Sequence, residues 1–337
     1  MSEFNIKDYN TFGLDVNCKA IDFINNATDI PTLLKKYKGE ELLILGGGSN
    51  VLFTNPTFKG VVIINKIKGF EATEEDDYTV VLKSGSGESW HELVLNSIDQ
   101  NFGGLENLSF IPGSVGASPM QNIGAYGVEI KDVFESLEAY HLESGEIHTF
   151  SNSECEFGYR ESVFKRKVKG QYIITSVSFK LSKKNHQLNT SYGIIEQQLM
   201  AMNIINPTIK DVSDAVVAIR SSKLPNPKEI GNAGSFFKNP IVKNTVLEKI
   251  QLKHPNCPFY PSIEGFSKLA AGWLIEQVGW KGKTINGYYG VHKLQALVIV
   301  NYGGATGKEL YQLSTQIIED VIAEFGVELE REVNIIQ

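Results

Sequence analysis

One stretch of this 337-residue chain is long, rich in glycine and free of charge. It reads LSFIPGSVGASPMQNIGAYGV over residues 108–128 and contains no Asp, Glu, Lys or Arg. Its glycines (Gly113, Gly116, Gly124 and Gly127) and two prolines exclude a single long helix or strand. The sequence therefore predicts a loop whose backbone comes close to a large ligand and binds it through N–H groups and short polar side chains. A tightly packed core loop is the alternative.

A second glycine run follows an apolar segment. Leu42–Leu45 predicts a buried strand, and Gly46–Asn50 (GGGSN) begins where that strand ends. Consecutive backbone N–H groups at a strand end suit a pyrophosphate. A Walker loop is excluded because no Gly-Lys-Ser/Thr follows, and a dinucleotide fingerprint is excluded because Val51 stands where it needs glycine. Since residues 61–65 also read as a strand, the phosphates would rest on a loop between strands. A simple turn is the alternative.

Composition narrows the class of protein. The length favours two or three domains, and 42% apolar with 21% charged residues is typical of a soluble globular protein. Cys18, Cys155 and Cys257 are far apart, which argues against a disulfide framework and favours the cytoplasm. No His or Cys falls at metal-ligand spacing, so we expect no metal. A net charge of −7 argues against nucleic acid as a partner, and no membrane segment or signal peptide is predicted.

Apolar periodicity and turn residues predict a mixed succession of helices and strands. A domain boundary is expected near residue 220, where proline and glycine cluster. The predicted helices are Ala27–Tyr37, Trp90–Gln100, Asp211–Ser222, Ser267–Val278 and Lys308–Phe325, and further predicted strands are Val133–Leu142, Ile147–Phe150, Tyr172–Leu181 and Ala296–Val300.

Two short segments carry candidate catalytic side chains. Ser235 lies in GNAGSFFKNP, outside any Gly-x-Ser-x-Gly hydrolase motif, and donates a proton only where cations stabilise its oxyanion. A serine satisfied in a turn is the alternative. Arg160 lies in FGYRES and would suit a substrate carboxylate, with a surface salt bridge as its alternative. Glu328, Glu330 and Glu332 alternate along a predicted strand, which is typical of a solvated face.

The order of these segments resembles the UDP-N-acetylenolpyruvoylglucosamine reductase family, in its type I branch. The resemblance extends from YNTFG at residues 9–13 to Glu332 and includes LGGGSNVLF, GLENLSFIPGSVGASPMQNIGAYG, ECEFGYRES, RSSKLPNPK, GNAGSFFKNP and KLAAGWLIEQ. It implies an α+β fold, with an FAD-binding unit of the PCMH/vanillyl-alcohol-oxidase type built from two α+β subdomains and a separate α+β substrate-binding domain. The implied segments are 1–68 with 326–337 for the first FAD-binding subdomain, 69–219 for the second and 220–325 for the substrate-binding domain.

The resemblance also implies FAD bound without a covalent bond, in keeping with the absence of Cys or His beside Gly46–Asn50. The implied cofactor-binding residues are Gly46, Gly47, Gly48, Ser49, Asn50, Gly113, Ser114, Val115, Gly116, Ala117, Gln121, Asn122, Gly124, Ala125, Tyr126, Gly127 and Arg220. The implied substrate-contacting residues are Tyr126, Tyr192, Lys223, Asn239, Tyr260, Lys268 and Gln295. Tyr192 resembles a loop tyrosine that closes over the nucleotide in one branch of the family.

By motif, the family's catalytic arginine falls on Arg160, its proton-donating serine on Ser235 and its glutamate on Glu332. The chain departs from the family at two positions beside this glutamate. Arg331 stands where proline is common, and Asn334 stands where a basic residue is common. Glu330, two residues earlier on the same predicted strand, is therefore the alternative to Glu332.

The reaction implied by the resemblance is a step in peptidoglycan precursor synthesis. NADPH reduces FAD, and the reduced flavin passes a hydride to the enolpyruvyl ether of UDP-N-acetylglucosamine, giving UDP-N-acetylmuramate. We expect a cytoplasmic monomer whose partners are this substrate and NADPH. Two other interpretations stay open: another FAD oxidoreductase of the same fold, which has no need for GNAGSFFKNP and Lys223 together, and a non-enzymatic flavin or nucleotide-sugar-binding protein, which needs neither Ser235 nor Arg160.

Overall fold

The computed structural model describes residues 4–337, which form a mixed α+β fold. The first three residues of the predicted segment 1–68 lie outside the described residues. The α-helices are α1 (Ile30–Lys36), α2 (Trp90–Asp99), α3 (Gly193–Ala201), α4 (Ile209–Lys223), α5 (Asn244–Lys253), α6 (Ala271–Gln277) and α7 (Gly307–Phe325). The strands are β1 (Phe4–Asn5), β2 (Asn17–Ile24), β3 (Leu42–Leu45), β4 (Val51–Phe53), β5 (Thr57–Asn65), β6 (Phe70–Glu74), β7 (Thr79–Gly85), β8 (Gly124–Ala125), β9 (Val128–Glu129), β10 (Phe134–His141), β11 (Ile147–Ser151), β12 (Tyr172–Ser182), β13 (Gly231–Asn232), β14 (Ile241–Lys243), β15 (Phe259–Pro261), β16 (Phe266–Leu269), β17 (Thr284–Ile285), β18 (Tyr289–Val291), β19 (Ile299–Asn301) and β20 (Asn334–Ile336).

The strongly periodic segments fold as predicted. The strand β3 ends at Leu45 and β4 begins at Val51, so the Gly46–Asn50 loop lies between two strands. The helices α2, α4 and α7 and the strands β10, β11 and β12 agree with their predicted ranges to within two residues at each end. Long apolar periodicity is reliable here because a whole face of each element is buried.

Two of the predicted elements are wrong in part. Ser267–Val278 is not one helix, because its first residues belong to β16 and α6 begins at Ala271. Lys268 in β16 pairs with Ile241 on one side and Tyr260 on the other, and these ladders hold the chain extended. Strand β19 begins at Ile299, so the residues from Ala296 to Val298 form a connection instead of the predicted strand. The helices α3 and α5 were not predicted.

The chain divides into two compact units. Unit 1 contains the N-terminal residues through Cys18, Gly48–Phe58 and Lys223–Gln337. Unit 2 contains Lys19–Gly47 and Lys59–Ser222. One crossing point lies inside the GGGSN loop, between Gly47 and Gly48, and another lies at the end of α4.

Unit 2 is organised around a five-stranded antiparallel sheet in the order β11-β10-β12-β7-β6. Helix α2 packs on it through Trp90, whose ring lies 5.7 Å from that of Phe179 in an edge-to-face contact. The indole Nε1 of Trp90 donates to the Leu108 carbonyl at 2.9 Å, and its backbone N–H donates to the Gly113 carbonyl at 3.0 Å. One buried tryptophan thus anchors the start of the glycine-rich loop to the core of this unit.

Unit 1 brings together segments that are distant in sequence. Strand β20 pairs in parallel with β4, and β13 pairs with β19. The Asn301 side chain donates to the Phe12 carbonyl at 2.9 Å, and the Asn232 N–H donates to the Thr11 carbonyl at 3.0 Å. The Phe12 ring lies 6.3 Å from that of Phe236. The YNTFG segment near the N-terminus therefore packs against the GNAGSFF segment and accepts a hydrogen bond from it.

Helix α7 also depends on a glycine. A Cβ at Gly307 would overlap the carbonyl oxygen of Phe53 in β4. We therefore expect Gly307→Ala to lower the free energy of unfolding by about 1–3 kcal/mol, the usual cost of overpacking. Gly193 begins α3 with nothing within 4 Å of a built Cβ, so Gly193→Ala is the matched control and should stabilise by at most about 1 kcal/mol. Urea unfolding followed by circular dichroism measures both; equal effects would mean that Gly307 does not hold α7 against β4.

Candidate active site

In unit 2 the two glycine runs meet backbone to backbone. A Cβ built on Gly47 lies 3.1 Å from the Cα of Gly113, and one built on Gly46 would overlap the Ser114 hydroxyl. A Cβ on Gly116 would lie 2.6 Å from that of Ser86. These glycines are required because side chains would separate the two segments.

Three N–H groups near the start of the 113–127 loop donate to backbone carbonyls of the protein. Val115 N–H donates to the Glu88 carbonyl at 2.9 Å, Gly116 N–H to Ser86 at 2.8 Å and Ala117 N–H to Ser114 at 3.1 Å. These three N–H groups are therefore engaged within the protein. Val115, Gly116 and Ala117 contribute shape to a ligand site, and donors to a pyrophosphate must come from other residues of the two runs.

The GGGSN loop continues into unit 1 at Gly48. Gly48 has φ +60° and a Cβ there would overlap the carbonyl of Tyr9, while its own carbonyl accepts the Thr11 N–H at 3.1 Å. Asn50 donates from its side chain to the Glu332 carbonyl at 3.3 Å and accepts the Asn334 N–H at 3.0 Å. In unit 1 the end of the glycine loop is thus tied to the segment that carries Glu332.

The FGYRES segment is tied to the glycine-rich loop at three points in unit 2. Asn122, fully buried with φ +44°, donates to the Gly158 carbonyl at 3.0 Å and to the Glu129 carboxylate at 2.9 Å. Arg160 donates through Nη2 to the Gly124 carbonyl at 2.8 Å. Ser162 donates to the Met120 carbonyl at 2.7 Å. Two motifs found separately in the sequence form one structure here, and Asn122 serves as its cross-link.

Three more predicted site residues gather around this loop. Tyr126, at φ +50°, makes an edge-to-face contact with Tyr192 at 5.7 Å. Arg220 on α4 donates through Nε to the Phe110 carbonyl at 3.0 Å. Burial raises the pKa of the Tyr126 phenol, and the nearby Arg220 guanidinium opposes that rise. Burial likewise lowers the pKa of Arg220; Tyr126 opposes this shift, while Arg160 adds to it by like-charge repulsion. The positive charges of Arg160 and Arg220 therefore lie close enough to affect each other.

Ser235 and Glu332 are brought together in unit 1. The Glu332 N–H donates to the Phe236 carbonyl at 2.8 Å, and the Lys238 N–H donates to the Glu330 carbonyl at 2.9 Å. Phe237 forms a bridge with Arg331 between these two hydrogen bonds. The segment after Ser235 thus pairs antiparallel with the segment that carries Glu332.

Arg331, one of the two residues that depart from the family pattern, faces away from the side of Glu330 and Glu332. Arg331 donates to Ser314 and Thr315 of α7, both at 2.7 Å, and its guanidinium lies 4.5 Å from the centre of the Tyr311 ring. Glu330 instead forms an ion pair with Lys238. The predicted solvated face of Glu328, Glu330 and Glu332 therefore includes an ordered contact.

The remaining predicted substrate-contacting residues lie in unit 1. Asn239 accepts the Ala271 N–H at 2.9 Å through Oδ1 and so caps α6. Lys268 lies 5.8 Å from the centre of the Tyr260 ring, its neighbour across β15 and β16. Gln295 accepts the Leu297 N–H at 3.3 Å, and Lys223 is exposed at the end of α4.

One buried histidine was missed by the sequence analysis. His292 is 5% exposed, and its Nδ1 is the one buried side-chain nitrogen or oxygen without a hydrogen-bond partner among residues 4–337. Its backbone N–H donates to Val298, and the Leu297 carbonyl accepts the Phe236 N–H. A single histidine at the end of β18 gives no spacing signal, so only the fold reveals its position close to the Ser235 segment.

Comparison with known proteins covers nearly the whole chain. A family model described as "UDP-N-acetylenolpyruvoylglucosamine reductase, C-terminal domain" matches residues 226–336, and one described as "FAD binding domain" matches residues 19–151. The UDP-N-acetylenolpyruvoylglucosamine reductase of Flavobacterium johnsoniae is 53% identical over 99% of both chains, and that of Amoebophilus asiaticus is 48% identical over 98% of both. The chain belongs to the UDP-N-acetylenolpyruvoylglucosamine reductase family. The reductase from Thermus caldophilus, 23% identical with a TM-score of 0.65 over 100% of this chain and 98% of its own, shares the fold.

Membership of the reductase family confirms the predicted α+β fold with an FAD-binding unit and a separate C-terminal domain. It also confirms an oxidoreductase that uses FAD. The structure fits this cofactor, because Gly47 of the matched domain packs against the backbone of Gly113 and Gly46 packs against Ser114, so two glycine-rich loops with exposed main chain lie side by side. Among residues 4–337, no helix is both long and apolar enough to cross a bilayer.

The glycine contact gives a direct test of the flavin site. Gly47→Val adds three carbon atoms against the backbone of Gly113, whose Cα would lie 3.1 Å from the new Cβ, so we expect the two loops to separate and the purified reductase to lose its flavin. Flavin absorbance per mole of protein measures occupancy, and far-ultraviolet circular dichroism should stay close to that of the unchanged protein. Full occupancy in this variant would remove GGGSN from the cofactor site.

His292 gives a pH-dependent prediction. Burial lowers the pKa of its imidazole below the ordinary value of 6.5, and Lys293 lowers it further. The unfolded chain therefore binds a proton more readily than the folded one, and stability should fall as the pH drops below about 6.5. In His292→Gln the loss of stability between pH 7.5 and 5.5 should become smaller, as measured by urea midpoints. An unchanged loss would show that other groups cause it.

Proposed function

We propose that this chain reduces the enolpyruvyl ether of UDP-N-acetyl-3-O-(1-carboxyvinyl)-glucosamine to UDP-N-acetylmuramate, with NADPH as the hydride donor. The observation that carries the proposal is the pairing of the Ser235 segment with the segment that carries Glu332, through the Glu332 N–H to Phe236 carbonyl hydrogen bond of 2.8 Å. Full-length identity of 53% to a reductase of this name supports the same substrate.

The cofactor site consists of Gly46–Asn50 and residues 113–127, with FAD bound without a covalent bond. The chemistry that FAD supplies when bound is hydride transfer from NADPH to the enolpyruvyl ether. The protein's part is to place the substrate and to stabilise charge. Backbone N–H groups of the GGGSN loop bind the pyrophosphate, since those of Val115, Gly116 and Ala117 are engaged elsewhere.

Arg160 binds the substrate carboxylate. Hydride addition to the terminal carbon pushes negative charge into this carboxylate, and a guanidinium stabilises it best when it is already oriented. Its bond to the Gly124 carbonyl provides that orientation. Arg220, beside it, strengthens the positive potential.

Ser235 donates a proton to the carbon next to the carboxylate, and Glu332 hydrogen-bonds to the carboxylate as charge develops. Tyr126, Tyr192, Lys223, Asn239, Tyr260, Lys268 and Gln295 contact the substrate in this proposal. The division into 1–68 with 326–337, 69–219 and 220–325 and the cytoplasmic monomer stay part of it.

Replacing Ser235 separates the two half-reactions. Ser235→Ala should be reduced by NADPH at close to the normal rate, while reoxidation by the enolpyruvyl substrate slows roughly 100- to 10,000-fold, the range for loss of a general acid. Stopped-flow flavin absorbance measures each half separately. The control is Ser262→Ala, an exposed serine of the same unit, which should leave both rates unchanged.

Three other results would contradict the proposal in different ways. Equal slowing of both halves would make Ser235 a structural residue. In the unchanged protein, flavin that NADPH reduces but the enolpyruvyl substrate does not reoxidise would indicate another FAD oxidoreductase. Flavin that NADPH does not reduce at all would indicate a binding protein.

A further inference from the structure

A buried lysine faces the strand that carries the proposed catalytic glutamate. Lys238 is 6% exposed, and its Nζ lies 2.6 Å from Oε1 of Glu330, whose side chain is 70% exposed. The backbone N–H of Lys238 also donates to the Glu330 carbonyl at 2.9 Å. Burying an ammonium group is costly unless an anion and hydrogen bonds compensate for it. An ordinary surface ion pair therefore does not explain why the Lys238 ammonium group is buried.

The pairing register places Glu332 on the same side as Lys238. Residues directly opposite each other in an antiparallel pair project to the same side, and Phe236 lies opposite Glu332 while Lys238 lies opposite Glu330. Glu332 is thus the diagonal neighbour of Lys238, within reach of a long side chain. Arg331 projects to the other side, against α7.

We propose that Lys238 is a positioning residue for substrate reduction, whose ammonium group is shared by the carboxylates of Glu330 and Glu332. This inference rests on the proposed function. The backbone hydrogen bonds on either side of the Phe237–Arg331 bridge fix the register, so Glu332 lies opposite Phe236, the residue after Ser235. The ammonium group then fixes the direction of its side chain.

The charges of this group determine which carboxyl holds a proton. One ammonium cannot neutralise two carboxylates, so the group with both ionised carries one net negative charge. Glu330 is mostly exposed, whereas Glu332 is half-buried. A protonated Glu332 is able to donate a hydrogen bond to the substrate carboxylate. Asn50, which contacts Glu332 from the GGGSN loop, is uncharged.

Two substitutions should shift the pH profile in opposite directions. Lys238→Met removes the cation, which raises the apparent pKa of the alkaline limb of flavin reoxidation by about one unit. Glu330→Gln leaves the cation to Glu332 alone, which lowers the same apparent pKa by a similar amount. Lys238→Arg retains the charge and should restore the original profile. Stopped-flow reoxidation by the enolpyruvyl substrate from pH 6 to 10 measures the shifts, and the limb is assigned by its loss in Glu332→Gln.

Substrate affinity provides a second readout. We expect the Kd of the oxidised protein for the enolpyruvyl substrate, from isothermal titration, to follow the same two shifts with pH. Lys308→Met, which removes an exposed lysine from α7, is the matched control and should change neither profile.

The outcomes are distinct. Opposite shifts with rescue by Lys238→Arg support the inference. Shifts in the same direction, or no shift in variants that keep flavin and fold, overturn it and leave Lys238 a purely structural residue. If Lys238→Met does not fold, the smaller change Lys238→Gln replaces it, because loss of the ammonium group must raise the apparent pKa in either variant. Failure of the unchanged protein to be reoxidised by the substrate contradicts the proposed function instead.

Discussion

The close approach of backbone to backbone at glycine is a constraint on which both units depend. In unit 2, Gly47 lies against Gly113 at a distance that leaves no room for a side chain. In unit 1, the next residue, Gly48, lies in the same way against the carbonyl of Tyr9. A ligand site lined by main chain gains N–H groups at fixed positions, and it loses the ability to tolerate even a methyl group.

Hydrogen bonds from polar side chains hold the glycine-rich segment in place. Asn122, Arg160 and Ser162 each contact the glycine-rich segment or a carbonyl of FGYRES, so side-chain hydrogen bonds hold a loop whose regular elements are all short. Trp90 adds two bonds from the core of unit 2. Such hydrogen bonds are worth roughly 1 kcal/mol each, so several are needed to hold residues such as Asn122 and Arg160 at positive φ.

The charged groups of the two units differ in sign: unit 2 has two neighbouring arginines, and unit 1 has one lysine beside carboxyl groups. Arg160 and Arg220 in unit 2 repel each other, an arrangement that an anion relieves. Lys238 in unit 1 has Glu330 at 2.6 Å and Glu332 on the same side. In our proposals the arginine group binds an anion, and the lysine group positions the carboxyl of Glu332.

The sequence by itself determined the α+β class, the strand before GGGSN, the long periodic helices and, through ordered motifs, the reductase family. Those features depend on local periodicity and on residue types, which a single chain displays directly. It did not determine that β16 would be extended at Lys268, that Asn122 would join two motifs, or that Lys238 would face Glu330 from 92 residues away. The tertiary structure decided these, because each depends on pairing between segments distant in sequence, and one residue of register decides which side chains share a face.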